Sequence, residues 1–110
     1  MIIDKRGDWN MGKEFIKNDG DKPNLAILFD YPLALGQVAR VMEYGAKKYS
    51  RKNWSKCDDK ERYESASLRH QVSFHNAEYL DSESSLHHLA HAICSQLFLL
   101  EMELQNANKS

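Results

Sequence analysis

Long apolar runs are missing from this 110-residue chain. No stretch approaches the roughly 18–20 residues that a membrane-crossing helix needs. The first residues, MIIDKRGDWNMGKEF, are too charged for the apolar region of a secretory signal. Cysteine is scarce: Cys57 and Cys94 are the two present, and no CxxC occurs. That excludes a disulfide-dense secreted scaffold, and the plain reading is two free thiols in a reducing cytoplasm. A surplus of one charge is missing too. The net charge of -1 argues against a sequence-independent nucleic-acid binder, which carries a basic excess. Proline is limited to Pro23 and Pro32, and no repeat, linker or low-complexity segment interrupts the chain.

What is there fits one small all-α domain over residues 1–110. A chain of this size buries a thin core, so a homo-oligomer, dimer or tetramer, is expected to complete it. Residues 1–23 are polar and hold Gly7, Gly12 and Gly20; they read as a loosely ordered arm ending at Lys22-Pro23, ahead of a helical core over 24–106. The run Leu25–Phe29 is too short for its period to separate strand from helix. Asp30-Tyr31-Pro32 reads as a helix start, with Asp30 as cap and Pro32 in the first turn, where its missing N–H costs nothing. Leu35, Val38, Val41 and Met42 recur at helical spacing, and this helix should fade near Gly45 unless AKKY extends it. Residues 49–58 read as a loop. Asp59 caps a second helix, about 60–78, with Tyr63, Ala66, His70 and Phe74 on one face. A third, about 84–106, carries a stripe of Leu86, Leu89, Ile93, Leu97, Leu100 and Leu104, and the tail NANKS should fray. The architecture predicted is a small antiparallel bundle.

All five histidines, His70, His75, His87, His88 and His91, lie in one window with Glu78 and Asp81. His88 and His91 share a helix face at i,i+3, and a helical hairpin brings them toward Glu78 and Asp81, the same spacing apart at the end of the second helix. Imidazole nitrogens and carboxylate oxygens converging in a bundle suit a divalent cation. A histidine alone on a helix is more often hydrogen-bonded than a ligand, and that reading is kept for His75 and His87. The segment YGAKKYSRKNW, residues 44–54, offers Lys47, Lys48, Arg51 and Lys52 to phosphate oxygens, Tyr49 and Trp54 to a base face, and Asn53 to a base edge. Taken alone it reads as a solvated basic loop with one anchoring Trp. Arg69, in mid-helix, calls for a carboxylate or phosphate partner. Cys94 sits among Ile93, Leu97 and Phe98, as a small buried residue does.

The strings VMEYGAKKYSRKNW, RYESASLRH and AEYLDSESSLHHLAHAICSQLFLLEME resemble the phage-associated dATP/dGTP diphosphohydrolase N-terminal domain family, which is MazG-like: all-α nucleotide pyrophosphohydrolases. The resemblance runs from about Lys22 to Glu103 and rests on KP, YGAKKY, NW, RH, ExxD and HLAHA in that order. In MazG-like enzymes one helix carries ExxE and the next ExxD, and these bind Mg²⁺. Here HLAHA looks like the second segment with histidines in place of carboxylates, and Leu68-Arg69-His70 takes the place of the first. The resemblance therefore implies His70, His88 and His91 beside the metal with Glu78 and Asp81 as carboxylate partners. It also implies Lys22, Lys47 and Lys48 on phosphates, and Asn53 and Trp54 near the substrate. This chain departs from the family at three places: Ala77 and Ser85 stand where Gly is usual, and His87 where Pro is frequent.

The function so implied is hydrolysis of dATP or dGTP to the monophosphate with a divalent metal, Mg²⁺ or Mn²⁺, the imidazoles suiting Mn²⁺, Zn²⁺, Fe or Co better than Mg²⁺ and leaving the identity open. Glu78 or Asp81 would serve as base, and Arg69 and the lysines would hold phosphate oxygens. The partners expected are a nucleotide and further copies of the chain, with no membrane and no nucleic acid. Two other readings stay open: a nucleotide-binding or regulatory module without turnover, and a structural metal that staples the bundle.

Overall fold

The computed structural model describes residues 21–109, so the arm expected over 1–23 lies, through residue 20, outside the described residues. Two compact units divide the chain, Met1–Pro32 and Leu33–Ser110. In the first, the run that periodicity left ambiguous forms a 3-10 helix, Leu25–Asp30, whose cap is the Asn24 side chain accepting from the Ala26 N–H. Asp30 ends this turn instead of capping the next helix, because Tyr31 occupies the position before Pro32. Helix α1, Pro32–Lys48, opens on the proline as expected and runs past Gly45 through AKK.

The second unit continues with a 3-10 turn, Asn53–Lys56, inside the expected loop, then α2, Lys60–His75, and α3, His88–Lys109. Asp59 caps α2 by accepting from the Glu61 N–H. The helix stops at His75 and not at residue 78, for a local reason. Ala77 N–H bonds to Phe74 C=O, Glu78 N–H bonds to Ser73 C=O, and Ala77 adopts φ 64°. This is a Schellman ending, which favours glycine at the left-handed position. It moves Glu78 off the helix, so Glu78 and Asp81 do not share a helical face.

Helix α3 begins at residue 88, not 84, because residues 81–86 close on themselves. Asp81 N–H bonds to Leu86 C=O, Ser85 N–H bonds to Asp81 C=O, and Ser85 takes φ 62°. An isolated bridge joins Leu80 to His87. His87 then caps α3 through its Nδ1, 3.1 Å from the Leu89 N–H. At the other end α3 continues to Lys109, beyond the expected fraying of NANKS.

Helices α2 and α3 are antiparallel, as their pairings run in opposite order. Lys60 pairs with Glu103, Ser67 meets Ala92 and Gln96, and His70 meets His88 and His91. Small side chains let the two backbones approach. Ser67 is fully buried and accepts from both Gln71 and Gln96 while donating to the Ala92 C=O. Val38 and Val41 of α1 close a core with Ala90 and Cys94, flanked by Leu86 and Phe98. This leaves much of the expected leucine stripe outside: Leu100 and Leu104 are 55% and 54% exposed, and Leu89, Ile93 and Leu97 are also exposed. The face of α3 that packs carries the small residues Ala90 and Cys94 together with Phe98, and the leucines and isoleucine of the stripe within α3 stay exposed. No helix among the described residues is long and apolar enough to cross a membrane.

Candidate metal centre and substrate groove

Three turns of structure deliver the histidine cluster. His70 projects from the last part of α2, His88 and His91 from the first turn of α3, and Asp81 from the turn between. Donor atoms of His70, Asp81 and His88 all lie within 4.8 Å of one another, a span that one cation bridges with bonds of roughly 2.0–2.6 Å. The Nδ1 atoms of His70 and His88 approach to 2.7 Å. Behind them, His88 is 4% exposed and its Nε2 has no hydrogen-bond partner. A buried polar nitrogen without a partner is uncommon in a folded protein. Glu78 Oε1 stands 3.8 Å from that Nε2, beyond hydrogen-bond reach and outside the converging set.

The electrostatics keep the His70 and His91 rings neutral. Burial, then the neighbouring His91 and His88, lowers the His70 pKa to about 4. Burial also lowers His91, against the pull of Asp81. Burial pushes Asp81 upward, but the Ser84 backbone and hydroxyl bonds and the facing His91 and His70 outweigh it, and its carboxyl stays below the ordinary value. Neutral imidazoles beside an ionised carboxylate are the protonation states that bind a cation.

A groove of about 920 Å³ opens from this cluster. His70, Asp81 and His91 line it together with Lys48, Asn53 and Trp54. Trp54 lies flat on Phe98, with centroids 5.3 Å apart and planes 2° from parallel; Tyr63 meets Phe98 edge-on. Lys48 bonds to Glu83 at 2.7 Å and lies 5.5 Å from the Tyr49 ring centroid. The hydrogen bond to Glu83 raises Lys48, and the same bond lowers Glu83.

Not every predicted residue reaches the groove. Arg69 is exposed and donates to Ser65 at 3.1 Å; its neighbour His70 takes the inward position, so the carboxylate or phosphate partner expected for Arg69 is replaced by a serine hydroxyl. Lys47 is exposed and off the groove wall, and Lys22 is an exposed residue of the first unit. Cys94 is buried as expected, its thiol pushed up to about 11 by burial, and both cysteines are free. Sequence reasoning missed Glu83, Tyr44 and Ser84. The signal for Ser84 was present: a serine three residues after an aspartate is the spacing at which side chain and backbone bond within one turn.

Comparison with known proteins adds a second line. Residues 13–110 match the family described as dATP/dGTP diphosphohydrolase, N-terminal. The chain is 36% identical over 84 residues to the dATP/dGTP diphosphohydrolase of Salmonella phage PMBT28, an alignment covering 76% of this chain and 28% of that protein. It thus spans under a third of that relative's length. No solved structure matches.

Proposed function

The chain belongs to the family of dATP/dGTP diphosphohydrolase N-terminal domains, and from that premise we propose that it hydrolyses purine deoxynucleoside triphosphates to monophosphates. The observation that carries the proposal is a single groove lined both by members of the histidine and carboxylate cluster and by basic and aromatic side chains. Its volume suits a nucleotide. His70, Asp81 and His88 would hold the metal, and two imidazoles with one carboxylate favour Mn²⁺ over Mg²⁺. When bound, that cation supplies charge against the charge developing on phosphate oxygens.

The chain's own groups divide the remaining work. With Asp81 given to the cation, Glu78, exposed beside His88 and outside the residues that line the groove, would be the carboxylate left to accept the proton of an attacking water. Lys48 exchanges Glu83 for a phosphate oxygen. Asn53 and the free face of Trp54 receive the base. Lys22, Lys47 and Arg69 stay in the proposal only as surface cations that attract the polyanion. We extend the proposal to a homo-oligomer, dimer or tetramer, since the exposed leucines of α3 leave an apolar face uncovered; a solution mass of one chain by light scattering would refute that part.

The test is a product assay. Purified protein is incubated with each dNTP, ATP or GTP in Mn²⁺ and in Mg²⁺, and nucleotides are resolved by ion exchange. Monophosphate from dATP or dGTP, lost with EDTA, is the expected result. The partial coverage of the phage relative favours one alternative, a nucleotide-binding module without turnover. Binding of dATP or dGTP with no product under any metal would select it.

A further inference from the structure

One hydroxyl in the turn before α3 serves three groups at once. Ser84 Oγ lies 3.0 Å from Asp81 Oδ2, 2.7 Å from His91 Nε2 and 3.2 Å from the Leu86 N–H. A hydroxyl has one proton and two lone pairs. The Leu86 N–H can only donate, so it takes one lone pair. The Asp81 carboxylate can only accept, so it takes the proton. The remaining lone pair faces His91 Nε2, and that nitrogen must therefore carry hydrogen.

We infer that Ser84 is a positioning residue: its hydroxyl ties Asp81 to His91 and fixes His91 as the Nε2–H tautomer. The consequences spread in two directions. Asp81 Oδ2 is fully engaged, accepting from both the backbone N–H and the hydroxyl of Ser84 at 2.9 and 3.0 Å, which leaves Oδ1 for a cation. His91 in turn stacks on His70, centroids 4.5 Å apart and planes 12° from parallel, so a fixed His91 holds the His70 ring in place. His91 thus orients the site, and its Nε2 is not a metal ligand, in contrast to the role the sequence suggested. Asp81 Oδ2 lies 3.9 Å from His91 Nε2, too far for a direct bond, and the serine fills that gap.

The effect on metal binding rests on the reading of His70, Asp81 and His88 as ligands; the tautomer does not. Long-range proton–nitrogen spectra of the metal-free protein, above the imidazole titration range, read the tautomer directly. The wild type should show His91 protonated at Nε2. Ser84→Ala should leave His91 exchanging between tautomers, and Ser84→Thr, which keeps the hydroxyl, should restore the single form. In calorimetry with Mn²⁺ alone, Ser84→Ala should bind roughly 10- to 100-fold more weakly, the usual cost of losing a group that orients a ligand, and Ser84→Thr should bind like the wild type. A wild-type His91 protonated at Nδ1, or a Ser84→Ala protein with an unchanged His91 spectrum, overturns the assignment. Should Ser84→Ala fail to fold, the wild-type spectrum still decides. A wild type that takes up no Mn²⁺ would sink the metal reading, and the spectrum would then settle Ser84 by itself.

Discussion

The histidine cluster and the basic, aromatic residues that share the groove are held by different forces. Around the histidines, most side chains are tied. Asp81 is bonded by Ser84, His91 by the same serine, His70 by His88, and the backbone beneath them is pinned at Tyr79–His88 and Asp81–Leu86. Among the basic and aromatic residues, Trp54 is anchored by stacking on Phe98, and Lys48 is held by one ion pair whose partners are both well exposed. Exposed pairs of that kind are screened by solvent and hold little. One set is preorganised, as chemistry on a fixed atom requires. The other can exchange partners, as recognition of a mobile polyphosphate requires.

Removing groups from each set should therefore give unequal losses. The largest effect is expected from His70→Ala with His88→Ala. Taking away two of three converging donors should weaken Mn²⁺ binding more than about 100-fold, beyond the loss of an orienting group, and turnover should fall with it. Retained Mn²⁺ affinity in that double variant, by calorimetry, would remove the site from the proposal. In the other set, Trp54→Ala should raise KM about tenfold with kcat nearly unchanged, since stacking a base on an aromatic ring is worth roughly 1–3 kcal/mol. Trp54→Phe should recover most of it. A KM that does not move in Trp54→Ala places the base elsewhere.

Acid should separate the two sets as well. The folded state holds His70 at about 4 against 6.5 in the unfolded chain, and His91 is lowered in the same direction. Between those values the unfolded chain binds more protons, so stability rises with pH. The contribution is fully present above 6.5 and is lost as pH falls toward 4. Denaturant midpoints of the metal-free protein should drop across that window, and His70→Gln should flatten the drop. A midpoint that stays constant from pH 7 to 4 contradicts the burial of these rings as the cause.

Much of this was legible in the sequence. The three helices, the Asp59 cap, the Pro32 start and the clustering of histidines follow from period, capping and spacing. What escaped was decided by tertiary choice. Periodicity shows that α3 has an apolar stripe but not which face α2 will use, and the small residues won because they allow closer approach. Arg69 and His70 are adjacent, and one residue of rotation, about 100° on a helix, decides which faces inward. The missing role of Ser84 has another cause: a hydroxyl's function depends on what the turn brings to it, and sequence alone does not place His91 beside it.

The helix boundaries offer the smallest and most discriminating test. Sequence periodicity extended α2 to residue 78 and started α3 at 84, yet the chain turns at Ala77 and Ser85, both at positive φ. A side chain there costs about 1 kcal/mol or more, partly offset by the greater freedom glycine brings to the unfolded state. The turn bearing Asp81 is thus framed by two strained residues in this chain. Ala77→Gly is expected to stabilise by about 0.5–1 kcal/mol, and Ser85→Gly by a similar amount. Each should raise Tm by a few degrees in a domain of this size, and the two should add if the strains are independent. Since neither residue supplies a side chain to the cluster, Mn²⁺ affinity should stay level or improve. A lower Tm in either single variant would mean that the left-handed conformation is not the native one there. The Schellman ending that takes Glu78 off the helix, or the closed turn that presents Ser84, would then need redrawing.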